Sequence, residues 1–271
     1  MIINVARKED TMASALIGYS GFVGGTLLNQ THFDCLYRST NIADIQGQQF
    51  DTVVCSGAPA QKWIANSQPE ADLENIRGLI EVLKTVKCKR FILISTVDVF
   101  MKAVDVDENT HVDEIGLHPY GLNRRMLEKF VEGHFSEHLI VRLPGLVGPG
   151  LRKNIIYDFL NRNNLEAIDS RGVFQFYPMV NLWYDISIAL SSGLKLVHLT
   201  AAPVSVGHIS ELGFGVEFDN VKDQPAAVYN MQTNHAHLFG GSGRYQYSSR
   251  ETIQAVRAYV QSEPKIENLA Q

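Results

Sequence analysis

No stretch of this sequence approaches the roughly 20 consecutive apolar residues that span a bilayer, so no membrane span is expected. Cysteine is scarce: Cys35, Cys55 and Cys88 stand far apart in unrelated contexts. An odd count at such spacing fits reduced thiols in a cytoplasmic protein better than a disulfide framework. Basic clusters are missing as well. Lys and Arg number 24 against 29 Asp and Glu, a net charge of −5. No local run is dense enough to track a nucleic-acid backbone, which makes DNA and RNA poor candidates for partners. No Pro/Gly/Ser-rich linker, internal repeat or low-complexity tract divides the chain. The opening "MIINVARKED" puts charges directly after a very short apolar run, unlike a signal peptide. These first residues are expected to form an arm, with Met12 a candidate natural start. His235 and His237 have no nearby Cys or carboxylate to complete a metal site, so a surface loop is expected there and no metal.

What is present is an alternation of strands and helices. With 271 residues and 45% hydrophobic content, the chain can form one large α/β domain, or such a domain with a smaller appendage. The stretch "ASALIGYSGFVGGTLL" runs from an apolar strand at Ala13–Ile17 into Gly18, Gly21 and Gly24 and then a helix. Glycine suits a tight turn, close backbone approach to a pyrophosphate, and close packing of helix on strand. "HFDCLYRST" reads as a second strand ending in Arg38 and Ser39. An acid is missing where an NAD site holds the adenosine ribose; a guanidinium and a hydroxyl suit a 2′-phosphate, which favours NADP. A third strand, Thr52–Cys55, runs into the small residues Ser56, Gly57 and Ala58. "EADLENIRGLIEVLKTVKC" has helical apolar spacing, and "KRFILIST" is a buried strand ending in Ser95-Thr96. The alternation predicts a doubly wound parallel sheet of the Rossmann type.

Tyr120 and Arg124 are four residues apart on a helix expected over 119–134, so they share one face. Together with Thr96 they carry a resemblance. The chain resembles the extended short-chain dehydrogenase/reductase family, the NAD-dependent epimerase, dehydratase and reductase enzymes of nucleotide-sugar metabolism. The matching pieces are "GYSGFVG", "DLENIRGLIEVLK", "RFILISTVDVF", "HPYGLNR" and "LIVRLPGLVGPG", in family order over residues 13 to about 150.

The resemblance implies hydride transfer at a nicotinamide coupled to proton transfer at an alcohol or ketone. Tyr120 matches the general acid/base and Thr96 the hydroxyl that holds the reacting oxygen. Gly18, Ser20, Gly21, Phe22, Val23, Gly24, Arg38, Ser39, Gly57, Ala58 and Pro144 fall at cofactor-contact positions, with Tyr120 and Arg124. Arg124 stands where the family has a lysine that favours the phenolate and grips the nicotinamide ribose. A guanidinium keeps the charge, but it is broad, planar and permanently protonated. Only Asp98 remains of the adjacent acid pair of dehydratase members, which argues against dehydration. Gly145 replaces an asparagine that many nucleotide-sugar enzymes place near the substrate diphosphate.

Residues 151–271 read more loosely, as a small substrate lobe with segments rejoining a main domain over 1–150. "NIIYDFL", "LWYDISIALSSG" and "ETIQAVRAYVQ" look helical, and "LKLVHLT" looks like a strand. The expected function is an NAD(P)-dependent oxidoreductase or epimerase of a sugar or nucleotide-sugar. The alternative is a catalytically degenerate NAD(P)-binding sensor or scaffold. The resemblance also implies a homodimer through the helices near 70–87 and 119–134.

Overall fold

The first strand, β1 (Ser14–Ile17), leads through the glycine turn into α1 (Phe22–Gln30) and β2 (Cys35–Tyr37). The computed structural model of the protein describes residues 12–264, so the expected N-terminal arm lies outside the described residues. The chain continues through β3 (Gln49–Cys55), α2 (Lys62–Ser67), α3 (Pro69–Leu83) and β4 (Lys87–Thr96). β3 starts earlier than its apolar run, because Gln49 and Phe50 pair in register with Lys87 and Cys88 of β4. A short strand β5 (Val104–Val106) precedes α4 (Pro119–His134) and β6 (His138–Leu143).

The second half holds β7 (Gly145–Val147), α5 (Ile155–Asn161), β8 (Val173–Phe174), β9 (Phe176–Pro178) and α6 (Leu182–Ser191). Then come β10 (Leu196–His198), β11 (Val204–Ser205), the helical turn α7 (Val206–His208), β12 (Asn230–Met231) and α8 (Ser249–Ser262).

Six strands form one parallel sheet in the order β10-β6-β4-β3-β1-β2. This is the doubly wound Rossmann arrangement expected from the alternation. Its inner strands are buried on both faces, hence their continuous apolar runs. Val53, Phe91 and Leu93 pack with Ile76, Ile80 and Leu83 of α3 and Leu127 and Val131 of α4. Leu16, Val54, Ile92 and Val141 face the other layer, with Leu27 of α1 and Ile186 and Ala189 of α6. Burying each such Leu, Ile or Val contributes roughly 1.5–3 kcal/mol. The strand expected in "LKLVHLT" is β10, which joins the sheet edge beside β6.

Two features aim this scaffold at one crevice. The chain runs from β1 outward to β2 and then returns to the other side of β1 for β3. At such a reversal, loops diverge beyond the strand carboxyl ends and leave a cleft. The pair β5–β12 also draws the segment around Asn230 alongside the chain that follows Thr96.

Candidate active site

The glycine loop closes on itself. Gly18 adopts φ +85°, and a Cβ there would lie 2.5 Å from the Ser56 carbonyl oxygen. A Cβ on Gly24 would meet the Gly18 carbonyl oxygen at 2.1 Å. Both contacts are with backbone, so neither can be relieved by a side-chain shift. Ser20 and Gly21 are exposed at the turn, and Gly57 and Ala58 flank it after β3. Gly21 caps α1 without a side-chain hydrogen bond, and the first turn, from Phe22 through Val23 and Gly24, holds no acid. A helix start left open in this way presents N–H groups and a positive dipole end to an anion. Arg38 follows β2; its Nε donates to Thr40 Oγ1 at 3.0 Å, and its guanidinium carbon lies 5.9 Å from the centre of the Tyr19 ring. Ser39 is exposed beside it, and Pro144 is half-buried between β6 and β7.

The second part of the site is the start of α4. His118 caps the helix, its Nδ1 accepting from the Gly121 N–H at 3.0 Å, and Pro119 occupies the first turn. A Cβ on Gly121 would lie 2.1 Å from the Asp98 carbonyl oxygen, so glycine lets the helix start press against the turn after Thr96. Asn66 Oδ1 accepts from the Tyr120 N–H at 3.0 Å. Thr96, Tyr120 and Arg124 come together here. The Thr96 hydroxyl accepts from the Asp98 N–H at 3.1 Å and acts on the Tyr120 phenol, favouring its ionised form.

Arg124 sits differently from a cation reaching for a ribose. Its guanidinium carbon stacks 3.9 Å from the centre of the Tyr120 ring. It forks onto both carboxylate oxygens of Asp72, one at 2.9 Å, and donates to the Pro59 carbonyl. Asn123 Nδ2 adds a third bond to Asp72 at 2.7 Å. Arg124 and Asp72 are both buried. Burial pushes the Tyr120 phenol above its ordinary pKa; the Arg124 charge opposes this without outweighing it, and Asp98 reinforces it. The net direction is toward the protonated phenol.

Two members of the site, Asp72 and Lys62, carry no signal in the sequence; Lys153 reads there as a solvated charge at a helix start, and His118 belongs to the stretch "HPYGLNR". Asp72 reads as an ordinary acid in the first turn of α3. Lys62 Nζ donates to Asp98 Oδ1 at 2.7 Å and to the Tyr229 hydroxyl at 3.4 Å. Lys153 Nζ donates to the Ala60 carbonyl, and burial and Arg124 lower its pKa. His118 is lowered too, by burial and by the Lys62 charge. Each lies far in sequence from its partner, and no local pattern marks a contact made by loop closure. His235 precedes a short helical turn, Ala236–Phe239, and His237 lies within it; among the described residues no group of three or more His, Cys, Asp or Glu could hold a metal.

A model of the NAD dependent epimerase/dehydratase family matches residues 2–172, and the chain belongs to that family. No curated protein matches the sequence. Among solved structures, the chain is similar to UDP-glucose 4-epimerase from Thermotoga maritima with UDP-glucose, at 13% identity and TM-score 0.68, covering 96% of this chain and 100% of that one. It is similar to RMD from Pseudomonas aeruginosa complexed with NADPH, at 18% identity and TM-score 0.67, covering 92% and 99%. It is also similar to dTDP-4-dehydrorhamnose reductase from Yersinia enterocolitica, at 13% identity and TM-score 0.71, covering 92% and 98%. At these identities the likeness establishes the fold.

The residues fit a nicotinamide dinucleotide. The open start of α1 offers N–H groups to a pyrophosphate. Arg124 Nε, buried beside Tyr120, finds no acceptor among the described residues.

Proposed function

We propose that the protein is an NAD(P)-dependent oxidoreductase or epimerase acting on a sugar or nucleotide-sugar, with NADP preferred over NAD. The observation that carries this reading is the meeting of Thr96, at the carboxyl end of β4, with Tyr120 of α4, in a parallel sheet whose β1 carries the glycine loop at the same end. The family and its nucleotide-sugar relatives, several with bound NAD, NADP or NADPH, support the cofactor and substrate class.

The bound nicotinamide would supply or accept hydride; the chain supplies the proton and the geometry. Gly21, Phe22, Val23 and Gly24 would seat the pyrophosphate, and Arg38 with Ser39 would meet a 2′-phosphate. Thr96 would hold the reacting oxygen. Tyr120, kept protonated by burial, would give that oxygen its proton. A phenol that retains its proton at neutral pH favours carbonyl reduction over alcohol oxidation. Arg124 would moderate the phenol through its ring face. A specific observation favours a second reading, a dinucleotide-binding sensor or scaffold: the Arg124 charge is already matched by Asp72.

Two measurements test the proposal. Fluorescence titration should give tighter binding of NADPH than of NADH, with the preference lost in Arg38→Ala. Incubation of the protein and NADPH with nucleotide-linked ketosugars should consume reduced nicotinamide. Absence of binding by either dinucleotide would sink the proposal as a whole. Binding without turnover across the panel would leave the sensor reading in its place.

A further inference from the structure

Two ion pairs flank Tyr120, and they differ in access to water. Arg124–Asp72 is sealed, with side-chain exposures of 4% and 5%. Lys62–Asp98 is open, at 37% and 18%. The open pair and the phenol that joins it come from three separate segments. Lys62 comes from α2 and Asp98 from the turn after β4. Tyr229 comes from the second half, its hydroxyl 3.4 Å from Lys62 Nζ and 3.5 Å from Asp98 Oδ1. Tyr229 is itself held by stacking on Phe174, with ring centres 5.7 Å apart.

The turn that carries Asp98 is locked to the reacting groups. Its N–H is bonded to Thr96 Oγ1, and its carbonyl oxygen abuts Gly121, next to Tyr120. The Asp98 backbone is therefore held beside Tyr120, and a negative charge on its carboxylate opposes removal of the phenolic proton. We propose that Lys62 is a further positioning residue of the reaction site, whose ammonium cancels the negative charge of Asp98 next to Thr96 and Tyr120. This inference rests on the reading of Tyr120 as the acid/base.

The surrounding electrostatics agree with the geometry. Asp98 pushes the Tyr120 pKa up, while Lys62 and Arg124 pull it down. Burial disfavours the Lys62 ammonium, but Asp98 outweighs burial and holds Lys62 in its charged form. The other titratable groups around the phenol do not substitute for it. Burial and Lys62 hold His118 toward its neutral form, and its Nδ1 is occupied as the helix cap. Lys153 is bonded to the Ala60 carbonyl beside the guanidinium of Arg124. The Arg124 guanidinium is paired with Asp72.

The test reads the ionisation of residue 120 without a substrate. 3,5-Difluorotyrosine placed at position 120 ionises well below tyrosine, and ¹⁹F NMR follows it as a single reporter in the full-length protein. Lys62→Met should weaken the ionisation constant roughly 3- to 10-fold, a shift of about half a pKa unit to one unit. Lys62→Arg should restore the wild-type midpoint. Asp98→Asn should strengthen the constant, and Lys62→Met with Asp98→Asn should return it to near wild type. An unchanged midpoint in Lys62→Met, or a double variant that follows Lys62→Met, would overturn the inference. A purely structural role for the pair predicts no such return. Failure to find turnover would count against the acid/base reading and leave these titrations unaffected.

Discussion

At the scale of single residues, Arg124 decides the character of the site. Its guanidinium serves the Tyr120 ring face, both oxygens of Asp72 and the Pro59 carbonyl together. An ammonium is a point charge and cannot reproduce that fork. Arg124→Lys is therefore expected to lower stability by about 1–3 kcal/mol and to reduce turnover, measured by urea unfolding and by NADPH consumption. Improved activity in the lysine variant would show that the fork is dispensable. Tyr120→Phe removes the proton donor while keeping the ring under the guanidinium. Turnover should fall by about 10²–10⁴-fold, the usual contribution of a positioned acid/base, with the dissociation constant for NADPH nearly unchanged. A variant that keeps full activity would remove Tyr120 from the mechanism.

At the scale of elements, α4 is tied to the sheet by charge as well as by apolar packing. Glu128, one turn beyond Arg124, is fully buried, and it accepts from Arg142 of β6 at 2.8 and 2.9 Å and from Ser95 Oγ of β4 at 2.6 Å. Burial disfavours the carboxylate, but Arg142 outweighs it and holds its pKa below the ordinary glutamate value. Removing the charge leaves Arg142 buried without a counterion, so Glu128→Gln should cost about 3–5 kcal/mol in the unfolding free energy.

Asp185 of α6 behaves oppositely. It is buried with no cation paired to it among the described residues, and its Oδ2 accepts from the hydroxyls of Tyr177 at 2.5 Å and Tyr247 at 2.8 Å. Burial raises its pKa above the ordinary aspartate value. A carboxyl raised on folding stabilises the fold below its unfolded pKa and loses that contribution as pH rises through the folded value. Asp185→Asn keeps an acceptor for both phenols and removes the buried charge. It should raise Tm at neutral pH by roughly 2–4 °C, with the gain vanishing in acid. A melting temperature lowered equally at every pH would show that the carboxylate is required as such.

At the scale of the whole molecule, α3 and α4 lie side by side on one face of the sheet. Along α4, Leu122 is exposed and Met126 and Phe130 are half-buried, at four-residue intervals. This stripe is where two copies would pair as the resemblance implies. Light scattering at micromolar concentration should give the mass of two chains, and Leu122→Glu should shift it toward one. A single-chain mass for the unaltered protein would remove the homodimer.

Residues close together in the chain were legible without coordinates. Strand-to-helix alternation, the glycine turn, the helix beginning at Pro119 and the shared face of Tyr120 and Arg124 all follow from spacings of a few residues, where backbone geometry leaves little choice. Tertiary structure decided what those residues meet. Asp72 reaches Arg124 across 52 positions and Lys62 reaches Asp98 across 36. Tyr229 arrives from the far half of the chain, 131 positions from Asp98. Composition at Tyr120 indicated a phenol beside a cation. Whether that phenol keeps its proton depends on burial and on every charge folded around it, because desolvation and Coulomb interactions are set by distance in space.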